Sequence, residues 1–173
     1  MNLVIVGISD CRLSSRPDDA LVTYALGSCV AVAIHDPVAG VGGLLHIMLP
    51  ESAIRPEKAR QSPFMFADTG VPLLFRSAYQ LGAEKRRLTV WIAGGAQVMN
   101  DNGAFDIGRR NCLAIRKLLW RAGVLIHGEE TGGSTSRTVR LEVGTGRFWL
   151  RGAGEAEREL AASKRGAAWP SRS

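Results

Sequence analysis

Two side chains able to do covalent chemistry stand close together in this sequence. Cys29 lies in L26-G-S-C-V-A-V and His46 in L44-L-H-I-M-L-P50, seventeen residues later, each within an apolar run. A free thiol titrates near about 8.5 and is mostly protonated at neutral pH, so a histidine within reach is the usual way to make it a nucleophile. The imidazole must itself be held in one tautomer, which needs a partner for its second nitrogen. Thr23, six residues before Cys29, is a candidate, because an even offset favours a shared strand face and a hydroxyl orients a ring without adding charge. Gly27 and Ser28 supply a small, flexible approach that lets backbone N–H groups turn toward a developing oxyanion. Read together, these residues compose a thiol acyl-transfer site.

The plainer reading is that Cys29 is a small core residue and His46 a satisfied core or edge residue, as such residues in apolar surroundings usually are. The remaining thiols and imidazoles carry less. Cys112 falls on the apolar face of an expected helix and reads as packing, and Cys11 lies in a polar, exposed stretch. His35 beside Asp36 reads as a surface turn residue, and His127 ends a short strand before Gly128. Three cysteines at wide, unpatterned spacing support neither a disulfide framework nor a zinc site.

The elements around the pair decide whether it can meet. Residues 22–26 and 30–35 read as strands interrupted by Gly27-Ser28, and D36-P-V-A-G40 turns the second into V41-G-G-L-L-H-I-M-L49, closed by Pro50. In such a hairpin a four-residue loop pairs Asp36 with Val41 and makes Cys29 and His46 diagonal neighbours on one face, about 7 to 8 Å apart; a two-residue loop pairs them directly at about 5 Å. An odd loop puts them on opposite faces, and the sequence leaves the choice open. Residues 51–62 are expected as a charged, proline-containing loop. Residues 64–81 form a helix with Asp68 or Thr69 as N-cap and Gly82 as its stop. Residues 87–93 make a buried strand ended by Gly94-Gly95, 107–122 a second amphipathic helix, and 124–127 a short strand. Residues 138–143 and 147–150 form a hairpin across G144-T-G146.

This alternation indicates a layered α/β or α+β domain, and 173 residues with 46% apolar content suit one such domain. Composition changes after Arg151, so 1–151 is expected as the domain and 152–173 as a disordered basic tail. No apolar run approaches a membrane span and MNLVIVGISD has no leader pattern, so the chain reads as cytoplasmic with no membrane insertion. The formal charge of +6 is scattered, without aromatic interleaving, and fits acidic partners better than nucleic acid.

The run T23-Y-A-L-G-S-C-V-A-V, followed by Asp36, G42-G43 and H46-I-M-L-P50, resembles the CheD family of chemoreceptor glutamine deamidases. F66-A-D-T69, G94-G-A96, I107-G-R-R-N111 and T131-G-G-S-T-S-R137 follow in the family's order. Two departures are Phe66, where many relatives carry tyrosine, and the tail after Arg151. The resemblance implies mixed β-sheets packed together with helices on the outer faces, in a single α+β domain. It also implies Cys29 as nucleophile, His46 as general base and Thr23 as the residue orienting it, with no metal or organic cofactor. The implied substrates are glutamines in the cytoplasmic region of methyl-accepting chemotaxis receptors, with receptor methyl esters also open to the same acyl-enzyme. A CheC-type phosphatase is a further implied partner. Two other readings stay open: a docking module with little catalysis of its own, and a peptidase or transglutaminase-like enzyme sharing the thiol chemistry.

Overall fold

In a computed structural model that describes residues 1–97 and 106–164, ten strands form two five-stranded mixed sheets. The first sheet runs β1 (Asn2–Ile5), β3 (Asp19–Leu26), β8 (Arg137–Glu142), β9 (Phe148–Gly152) and β10 (Arg158–Glu159). The second runs β2 (Asp10–Ser14), β5 (Val41–Ile47), β4 (Val30–Asp36), β6 (Thr89–Gly94) and β7 (Gly128–Thr131). Among these ten strands β1–β3 and β6–β7 are the parallel pairs.

The alternation along β4 and β5 explains the layering. Ala31, Ala33 and Leu44 point between the sheets, toward Leu21, Val139, Leu141, Phe148 and Leu150, while Val30, Val32, Ile34, Leu45 and Ile47 point outward. That outward face is covered by two helices, α2 (Ala67–Gln80) through Val71, Leu74 and Phe75, and α3 (Ile107–Arg121) through Cys112, Ile115 and Leu119. Both strands are therefore buried on two sides, which is why they read as unbroken apolar runs. Among the described residues both long helices lie on the second sheet, and the outer face of the first carries Arg140, Glu142 and Trp149 instead.

The hairpin closes with four residues: Asp36 pairs with Val41 and Ala31 with His46. Asp36 Oδ1 accepts the N–H groups of Val38 (2.9 Å) and Ala39 (3.1 Å), and Oδ2 accepts Glu84 N–H (2.9 Å) and Arg87 Nε (2.9 Å). Burial acts to raise this carboxyl's pKa, but the four donors outweigh it and hold it down at about 2. The turn is thus fixed by an ionised side chain at the corner of the sheet.

Several expectations change. Residues 51–62 contain α1 (Pro56–Gln61), opened by its proline, rather than a bare loop. The N-cap of α2 is Phe66 with no side-chain cap; Asp68 instead accepts Ser52 N–H and Oγ–H, and Thr69 Oγ1 donates to the Pro63 carbonyl. The short strand is 128–131 and not 124–127, because His127 N–H and ring engage Val90 before the parallel ladder begins. β1 and β2 escaped the sequence reading, being short and half exposed. The chain also stays in the fold beyond Arg151. β10 pairs with β9, the Leu160 carbonyl accepts the indole N–H of buried Trp91 at 3.1 Å, and Ser163 N–H bonds His127 O at 2.7 Å. Residues 165–173 of the expected tail lie outside the described residues.

Candidate functional site

Cys29 sits where the chain crosses from the first sheet to the second, between the end of β3 and the start of β4. Its side chain follows Ala31 and Ala33 onto the inter-sheet face, where it is half-buried. His46 lies on the same face of β5, opposite Ala31, so the two are diagonal neighbours, in the register of a four-residue loop.

Thr23 reaches His46 from across the sandwich. Its hydroxyl lies 2.7 Å from His46 Nδ1 and 2.7 Å from the Val6 carbonyl oxygen. A carbonyl can only accept, so the single hydroxyl proton goes to Val6 and the oxygen accepts the proton of Nδ1–H. This fixes the tautomer and leaves Nε2 as an acceptor. Nε2 is buried and bonds no described residue, Cys29 included. Thr23 meets the histidine for a reason other than its offset from Cys29: the two share no strand, and the even offset is immaterial. A bulge makes the approach possible. Thr23 pairs with Val139 and Leu26 with Arg137, so β3 spends one extra residue there, and Ala25 takes it up at φ 54°. Both Thr23 and Leu26 can therefore face inward although their positions differ by an odd offset.

Electrostatics follow from burial. His46 is 1% exposed, and desolvation lowers its pKa from 6.5 to about 4, so the ring is neutral at pH 7. Burial raises the Cys29 thiol, with a smaller opposing effect from its own backbone amide. The resting pair is thus thiol and neutral imidazole rather than thiolate and imidazolium. The Gly27–Cys29 turn is held by its carbonyls: Gly27 O accepts Ala96 N–H at 2.8 Å, Ser28 O accepts Asn111 Nδ2 at 2.9 Å, and Cys29 O accepts Gly95 N–H at 2.8 Å. The N–H groups of Gly27, Ser28 and Cys29 donate to no backbone carbonyl in the turn and loop bonds among the described residues, and that of Cys29 lies toward its own sulfur. Gly94, at φ 114°, admits this approach, since a Cβ there would stand 2.3 Å from Cys29 O.

The other candidates take structural places. Cys112 is buried against Gly95, its pKa raised by desolvation, and Cys11 lies on β2 packed against the core, pushed up to about 12 by burial and by Asp10. His35 is not a surface residue: it is buried, and its Nε2 donates to Val143 O at 2.8 Å, tying the sheets together. Asn111 also supports the site, with no local signal in the sequence to mark it, since only the fold brings it to the Ser28 carbonyl.

Fold and site thus define a two-sheet α+β protein with a half-buried thiol and a tautomer-fixed neutral histidine at one end of its sandwich. Residues 48–152 match the family described as CheD chemotactic sensory transduction. The chain is 52% identical over 163 residues to the probable chemoreceptor glutamine deamidase CheD of Solibacter usitatus, covering 94% of this chain and 96% of that one. It is 53% identical over 160 residues to the probable chemoreceptor glutamine deamidase CheD 1 of Syntrophus aciditrophicus, covering 92% of this chain and all of the relative. With the chemoreceptor glutamine deamidase CheD of Thermotoga maritima it shares 39% over 153 residues, 88% and 94% of the two chains. This chain belongs to the CheD family. Among the described residues no helix is long and apolar enough to cross a membrane.

Proposed function

We propose that this protein deamidates glutamine side chains in the cytoplasmic region of chemotaxis receptors, with Cys29 as nucleophile, His46 as general base and acid, and Thr23 holding the ring. The observation that carries the reading is the Thr23–His46 bond of 2.7 Å, which turns an unpartnered, neutral Nε2 toward the face that holds Cys29. Family membership supplies the substrate class, as named in its relatives.

The steps follow from this protonation state. As Cys29 Sγ forms its bond to the carboxamide carbon, the thiol proton moves to His46 Nε2 and the carbonyl electron pair settles on oxygen, which accepts hydrogen bonds from backbone N–H groups of the Gly27–Cys29 turn. Collapse of that oxyanion breaks the C–N bond, and the proton on Nε2 leaves with ammonia. Water then gives a proton to the same nitrogen while its oxygen attacks the thioester, and the thiolate departs and recovers the proton, leaving glutamate. A glutamate methyl ester fits the same acyl-enzyme, with methanol in place of ammonia. Nucleophile and base start without a mutual hydrogen bond, as is common before substrate is bound.

Mass spectrometry of receptor cytoplasmic fragments tests the proposal. Each converted glutamine gains about one dalton; Cys29→Ala abolishes the gain while the fold persists, and Thr23→Val slows it about tenfold by removing the tautomer's anchor. A fully active Cys29→Ala protein would end the nucleophile assignment. A wild-type protein that binds the fragments without changing their mass would instead be a docking module.

A further inference from the structure

We infer that Asn111 is a positioning residue that acts from the far side of the second sheet to aim the Cys29 backbone N–H at the reaction oxyanion; this rests on Cys29 being the nucleophile. Asn111 lies in α3, fully buried, and its Nδ2 donates to two carbonyls: Ser28 O and Met48 O, both at 2.9 Å. Both acceptors are carbonyl oxygens, so the nitrogen must occupy that position and the amide orientation is fixed by chemistry. One side chain therefore ties the residue before the nucleophile to the end of the strand that carries the base.

The direction of this bond matters. α3 packs on the outward face of the second sheet with Val30 and Ile47, whereas Cys29 points to the inter-sheet face with Ala31. Peptide bonds are planar, and all those described here are trans, so the C=O of Ser28 and the N–H of Cys29 point in opposite directions. Holding Ser28 O on the helix side turns the Cys29 N–H toward the inter-sheet side, where Cys29 and His46 face each other diagonally. The bond from Ala96 N–H to Gly27 O fixes the preceding peptide in the same way, but with a backbone donor that no side-chain substitution removes. Asn111 is the one side chain that sets this geometry among the described residues. Its Oδ1 is buried without a donor among the described residues, a cost that a purely packing residue at this position would not carry.

The test separates steps that need an oxyanion from one that does not. Alkylation of Cys29 by iodoacetamide displaces iodide at a saturated carbon and builds no negative oxygen. Asn111→Ala and the smaller perturbation Asn111→Ser are assayed for receptor-fragment deamidation and for alkylation across pH. Deamidation kcat is expected to fall about 10- to 100-fold with KM little changed, because an oxyanion donor acts only in the transition state. The alkylation rate and its pH profile should stay within about threefold. Unchanged kcat in a folded variant overturns the inference, and so does an equal fall in kcat and alkylation, which would mean that Asn111 merely supports the whole site. The wild-type protein gives a second readout that does not depend on variant folding. A short peptide bearing an aldehyde in place of the glutamine amide forms a hemithioacetal with Cys29, and the Cys29 amide proton should move downfield in the NMR spectrum; no shift overturns the inference. An active Cys29→Ala protein would instead refute the nucleophile reading on which it rests.

Discussion

At the scale of single residues, the decisive chemistry is a hydroxyl with one proton and two claimants. Because the Val6 carbonyl takes that proton, Thr23 can only receive from His46, and a neutral partner leaves the ring's basicity to burial alone. A carboxylate in its place would raise the histidine and stabilise a thiolate–imidazolium pair. Here the histidine is depressed to about 4, with consequences for pH. The unfolded chain binds a proton at His46 below about 6.5 and the folded chain only below about 4, so unfolding takes up protons in that window. Stability from this group is therefore complete above about pH 6.5 and declines as pH falls toward 4, by about 3 kcal/mol in all. Denaturant titrations at pH 7 and pH 4.5 should show that decline, reduced in His46→Gln. Deamidation kcat/KM should hold from pH 7 to about 5 and fall only near the folded pKa, because the base must be neutral in the free enzyme. An acid limb near 6.5 would contradict the assigned environment.

At the scale of elements, short strands at the sheet edges determine whether the ends of the sandwich stay closed. β10 has two residues, yet the segment after it supplies the acceptor for the Trp91 indole and covers the ring stack of Trp91 on Phe148, whose centroids lie 5.4 Å apart. Ending the chain at Arg151 leaves the indole N–H of a buried residue without its partner and removes the pairing along β9. That truncation should cost about 1 to 3 kcal/mol, whereas ending at Lys164 should cost less than about 0.5 kcal/mol. Thermal unfolding of the two shortened proteins beside the full chain checks this, and equal midpoints for all three would deny β10 any stabilising role.

At the scale of the whole molecule, the sign of the charge sets the expectation for encounter. On the proposed function, deamidation turns neutral glutamines into glutamates and makes the receptor surface more negative as the reaction proceeds, so a protein of formal charge +6 should be drawn to it. Raising salt so that the Debye length shrinks from about 30 Å to about 8 Å should lower kcat/KM and leave kcat nearly constant, since screening acts on the encounter of separated charges and not on bond-making at a half-buried thiol. Residues 165–173 add two arginines, so the contribution of the terminus is read by comparing the full chain with one ending at Lys164, which preserves the β10 pairing. Equal salt slopes assign the attraction to residues 1–164. A flat response in both removes it.

The sequence by itself determined the candidate pair and most of the elements that carry it. Cys29, His46 and Thr23 were legible as residue types in apolar runs, and the hairpin from Val30 to Ile47 was legible because two short apolar runs joined by the turn D-P-V-A-G are local signals. The tertiary structure alone chose the four-residue loop that brings Cys29 and His46 to one face, and it alone carried Thr23 across the sandwich to His46. It also buried His35, drew the chain past Arg151 into the first sheet, and set Asn111 against Ser28. These outcomes share one physical cause. Hydrophobic periodicity records which face of a segment is apolar, whereas a hydrogen bond between residues 17 to 108 positions apart depends on which layers meet and in what register.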